Sequence, residues 1–113
     1  MKLLKRDRER MKLTLSEIQR LVSVGWTPGL VDKDRDGNVC SIDRCGLSVS
    51  PRYFSLNGAI ARSTDNDPAW RNKVKEFLSQ FQTLPTLSAW ALAMPSQEDA
   101  KTLIHLAINS ISI

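Results

Sequence analysis

The chain has 113 residues, 42% of them hydrophobic and 25% charged, which is the balance of one small globular domain with a modest core. Sixteen basic against twelve acidic residues give a net charge of +4. No apolar run approaches the length of a bilayer span, and the basic start MKLLKRDRER has no apolar stretch behind it to make a secretory signal, so a cytoplasmic protein without a membrane partner is expected.

The charge is concentrated at the start. Residues 1–12 hold six basic residues against Asp7 and Glu9, while the rest of the chain balances ten against ten. They are expected as a basic N-terminal arm, and residues 13–113 as a single helical domain. Any attraction for nucleic acid would come from Lys5, Arg6, Arg8 and Arg10, a segment without an aromatic on which a base could stack.

The first helix is expected in TLSEIQRLVSVGW, where Leu15, Ile18, Leu21 and Val22 form one stripe and Thr14 or Ser16 serves as N-cap. Because the stripe starts at Leu15, the fold should survive in a chain beginning at Met11. Gly25 and Pro28-Gly29 end the helix.

Next comes VDKDRDGNVCSID. Asp32, Asp34 and Asp36 alternate, Gly37 follows, Asn38 offers a carbonyl, and Asp43 closes at the twelfth loop position: the spacing of a calcium loop. Against that reading, Trp26–Gly29 breaks the helix that should run into the loop. Gly46 and Ser48–Pro51 interrupt the one that should leave it, and Asp43 is a shorter ligand than the usual Glu. The expected reading is therefore a short β-hairpin near residues 30–42, turning at Asp36-Gly37, where both residues tolerate positive φ. Cys40 and Cys45 are expected as reduced thiols, and with His105 the lone histidine a four-ligand zinc site is short of ligands.

A second helix is expected in SPRYFSLNGAIARS, with Ser50 as cap, Pro51 at the first helical position, and Gly58-Ala59 as a smooth patch that admits a close backbone. The third, opened by Asp67-Pro68, carries Trp70, Val74, Phe77, Leu78 and Phe81 on one face. The last, SQEDAKTLIHLAINSI, has Ser96 and Asp99 in capping-box register and buries Ala100, Leu103, Ile104, Ala107, Ile108 and Ile111; His105 falls on its polar side. The fold class is thus mainly α: about four helices, with a hairpin after the first.

The run Gly25-Trp26, Gly29, Gly37 in an Asp-Gly turn, Phe54, Gly58-Ala59 and Trp90 resembles the domain of unknown function 6197 family, small proteins of bacteria and their phages. Ser55 stands where that family carries a Cys, and Ala91 follows Trp90 where Asn is common. The resemblance implies a compact helical fold with a hairpin and a phage-like context, and no activity.

No Ser/His/Asp trio and no phosphate-cradling loop is legible, so an enzyme is not expected. The expected function is a small non-enzymatic interaction protein, phage- or prophage-derived, binding and modulating a host protein, by inhibiting host defence or taking over host processes. The alternatives are a calcium-binding protein through Asp32–Asp43 and a nucleic-acid module through the basic start.

Overall fold

The computed structural model describes residues 3–44, 47–65 and 67–111. Five helices follow in order: α1 Lys5–Val24, α2 Leu56–Ser63, α3 Pro68–Ser79, α4 Leu87–Leu92 and α5 Gln97–Asn109. None of them is long and apolar enough to cross a membrane. Between α1 and α2, residues 25–44 and 47–55 form no helix.

The apolar stripes read in the sequence are the ones that pack. Leu15, Ile18 and Val22 of α1 meet Ile104 and Ala107 of α5, together with Ile60, Val74, Phe77 and Leu78, in one cluster with Phe81 and Ile108 at its margin. Phe77 and Phe81 contact edge to face at 5.3 Å.

Helix α1 starts earlier than the stripe at Leu15 indicated. Its first two turns are Lys5–Lys12, and Met11 and Leu3 are buried in the core. The helix runs through residue 12 without a break. Thr14 and Ser16, expected as caps, lie mid-helix and return their hydroxyls to the Arg10 and Lys12 carbonyls. Thr14 Oγ1 also accepts from Trp70 Nε1 at 3.1 Å, Arg10 stacks 4.1 Å over the Trp70 ring, and Asp7 pairs with Lys73 at 3.1 Å. These ties to α3 hold the basic segment helical. A sequence window centred on hydrophobic periodicity misses them because they are polar and aromatic.

Helix α2 starts later than expected. Ser50 sits at φ 48°, and Pro51–Ser55 is not helical. Arg52 and Tyr53 donate to the Lys33 carbonyl, Phe54 donates to Gly25, and Thr27 donates to Phe54, so the segment is drawn into loop pairing and Ser55 becomes the cap. Helix α4, capped by Thr86, was not expected at all; six residues give too little periodicity to detect.

The β-hairpin is not formed. Among the described residues there are only isolated bridges, Lys33 with Val39 and with Tyr53, Ile42 with Ser48, and Trp26 with Phe54. The turn itself is present. Gly37 has φ 82°, its N–H donates to the Asp34 carbonyl, and Asp34 N–H donates to Asn38. The ladder stops there because Lys33 is shared between two partners, and 52–54 takes the place of a continuing second strand.

Candidate functional site

Sequence marks the Asp-rich segment as the candidate, and the structure gives Asp32, Asp34 and Asp43 separate structural tasks. Asp34 Oδ1 accepts from the N–H groups of Asp36 and Asn38, closing the turn, and Asp43 Oδ1 accepts from Leu47 N–H. Asp36 is exposed at the tip. Asp32 turns the other way and is 3% exposed. Among the described residues no three His, Cys, Asp or Glu side chains group to hold a metal ion. The five candidate ligands Asp32, Asp34, Asp36, Asn38 and Asp43 are not brought together as a cation cage. Cys45 and Gly46 lie outside the described residues.

Asp32 reaches the start of α2. Its Oδ1 accepts from the Ser55 N–H at 2.7 Å and from the Ser55 hydroxyl at 3.0 Å, and Ser55 Oγ in turn accepts from Gly58 N–H. The carboxylate therefore lies where the helix dipole favours a negative charge. Gly58 is what admits it. A Cβ there would stand 1.9 Å from Oδ1 and 2.2 Å from Oδ2, so the smooth patch receives a buried carboxylate and not a backbone. Asp32 Oδ2 is buried without a hydrogen-bond partner among the described residues. The Ser55–Asp32 pair has the residue types of a nucleophile and its base. Ser55 is fully buried and commits its hydroxyl to capping, so the pair reads as a fold-holding device.

Around Asp32 opens a cleft of about 310 Å³. Its rim is Leu30, Val31, Val39 and Ile42, all exposed apolar side chains; Val39 and Ile42 are each 62% exposed. Its inner surface carries Cys40, Ser48 and the Asn57–Gly58 start of α2, and its far wall is Arg71 and Lys75 of α3. Burial pushes the Cys40 thiol up, with the negative charges of Asp32 and Asp34 adding to the effect, so the thiol is kept protonated. Burial and then the charge of Arg71 push the Lys75 ammonium down. Arg62 donates to the Ser48 carbonyl and lies 5.9 Å over the Phe54 ring, tying the loop to the end of α2.

Of the residues that carry the family resemblance, Gly58 lines this cleft, and the others lie outside its lining. Gly25 lets the Arg52 carbonyl approach to 2.2 Å of where a Cβ would be; Trp26 bridges to Phe54, donates to the Pro95 carbonyl at 2.9 Å, and stacks 6.3 Å from Trp90. Gly29, at φ 101°, donates its N–H to Ala91, and Ala59 is buried in the core. The basic residues are dispersed. In helical register Lys5 and Arg8 take one side of α1 and Arg6 and Arg10 another, and Arg10 is already engaged by Trp70 and Asp67.

Sequence reasoning missed Ser55, Arg71 and Lys75. The i, i+4 spacing of Arg71 and Lys75 was legible, yet without a known opposite wall it reads as a solvated helix face. No family model, curated protein or solved structure matches the chain.

Proposed function

We propose that the chain is a non-enzymatic interaction protein and that the loop residues 30–44 and 47–49, together with the cleft behind them, are its contact face. The observation that carries this reading is the rim. Leu30, Val31, Val39 and Ile42 come from one irregular segment and stay exposed together around a concave opening, and Val49, from the same loop, is also exposed. An apolar rim around a concave opening is the usual form of a binding site. The described part of the loop is also anchored by hydrogen bonds at Asp32, Arg52 and Ser48, which lowers the order to be lost on binding. The family resemblance adds a setting, a phage or prophage protein acting on a host protein in the bacterial cytoplasm.

The test uses a photo-crosslinker placed at Ile42 and, as control, at exposed His105, in a bacterial lysate. A partner crosslinked from position 42, absent from position 105 and lost in the Val39→Asp/Ile42→Asp protein is expected. Equal capture from both positions, or capture indifferent to the two aspartates, would refute the assignment of this face.

A further inference from the structure

The cleft is apolar at its mouth and cationic on one wall, and the two features select different parts of one ligand. Lys75 lines the cleft half-buried, with no hydrogen bond or ion pair to any described residue. Arg71 stands one turn before it on the same face of α3. The carboxylate that lines the cleft, Asp32, is turned to Ser55 and the start of α2 and makes no ion pair with Lys75. Among the described residues no anion pairs with Lys75, and Val39 and Ile42 are left exposed.

Resting on the interaction reading above, we infer that the occupant is an extended acidic peptide segment of the partner protein, whose Glu or Asp carboxylate enters against Lys75 and Arg71 while a neighbouring apolar side chain covers Val39 and Ile42. A free inorganic anion would leave the rim uncovered, and a purely apolar segment would leave Lys75 desolvated and unpaired, which costs more than leaving it in water. Asp32 sets the direction. Its negative charge repels an anion from the α2 side, so the carboxylate takes the α3 wall. The downward shift that burial and Arg71 impose on Lys75 agrees with this, since an arriving carboxylate would oppose it.

The experiment is a titration of the isotopically labelled full chain, followed by amide NMR shifts, with an acetylated and amidated peptide of one glutamate flanked on each side by leucine and serine. The same peptide with glutamine for glutamate and inorganic phosphate are run alongside. The glutamate peptide should shift the amides of Gly58, Asn57 and Lys75 and bind about tenfold more tightly than the glutamine peptide, the difference one charge-assisted contact supplies. Lys75→Gln should remove that difference and Lys75→Arg should keep it. Equal binding of the two peptides overturns the anion inference, as does phosphate matching the glutamate peptide or shifts that fall outside the cleft. Because the peptide pair is compared on the unaltered protein, a misfolded variant cannot obscure the result. Equal binding of both peptides that is lost in Val39→Asp/Ile42→Asp would leave the contact face standing and sink the carboxylate alone.

Discussion

The contact between Asp32 and Gly58 permits a sharp test of how the loop is fixed to the helices. Gly58→Ala places a methyl group 1.9 Å and 2.2 Å from the two carboxylate oxygens, so the side chain of Asp32 or the start of α2 must move. Moving the carboxylate breaks one or both of its bonds from Ser55, each a hydrogen bond to a charged acceptor contributing about 1.5–3 kcal/mol. Alanine returns about 0.5–1 kcal/mol through its better helix propensity. The net expectation is a loss of about 0.5–2.5 kcal/mol if one bond breaks and about 2–5 kcal/mol if both do, read by urea denaturation as a lower midpoint at unchanged slope. In an Asp32→Ala protein the obstruction is gone. The same Gly58→Ala change should there be neutral or stabilising by about 0.5–1 kcal/mol, a coupling far beyond what independent sites give. If Gly58→Ala costs the same in both backgrounds, or nothing in the native one, the carboxylate does not occupy that space and the account of the loop anchor fails.

Phe77→Ala, which empties a buried ring site against Phe81, should cost about 3–5 kcal/mol in the same assay. A chain starting at Met11 should lose about 2–3 kcal/mol, since it gives up the burial of Leu3 and the Asp7–Lys73 pair; unchanged stability would mean the first turns of α1 are dispensable. Millimolar calcium should leave the melting temperature where it is, because the Asp34 oxygen is taken up in the turn and Asp32 faces α2; a rise of several degrees lost on Asp36→Ala would restore the cation reading. In a Cys45→Ser protein, Cys40 should alkylate slowly at about pH 8, and much faster once unfolded. Its raised folded value means the native state keeps a proton that the unfolded state releases, so this thiol makes stability fall as pH climbs above 9.0, and Cys40→Ala should flatten that fall.

What the sequence showed was whatever rests on local periodicity and capping chemistry. Asp67-Pro68 and the Ser96–Asp99 capping box mark helix starts because the donors they satisfy lie two or three residues away, and both are found in place. Ser50-Pro51 carries the same local signal and fails. Arg52, Tyr53 and Phe54 find acceptors at Lys33 and Gly25, some twenty to thirty residues distant, and no propensity reports that. The alternating aspartates misled in the same way. Their spacing fits calcium ligation, and it fits equally a turn in which one carboxylate accepts two backbone N–H groups while another is sent elsewhere. The site was half legible: the Asp-Gly turn and the Gly58-Ala59 patch drew notice, but that the first residue of the loop enters the second was set by tertiary packing.

That geometry divides the residues into two sets with separable consequences. Gly25, Trp26, Phe54, Gly58 and Trp90 bring loop and helices together, and none of them presents chemistry to solvent that their packing does not already use. Val39 and Ile42 contribute almost nothing to the core, and Lys75 holds no hydrogen-bond or ion-pair partner among the described residues, so the stability of the protein gives no reason for where they stand. Side chains whose positions are set by the fold but whose contacts are not supplied by it are the ones a binding partner would complete. Substitution in the first set should lower stability and binding together, whereas Val39→Ser or Lys75→Gln should lower binding with the melting curve in place. The same residues that leave the fold indifferent are therefore the ones through which function should be read.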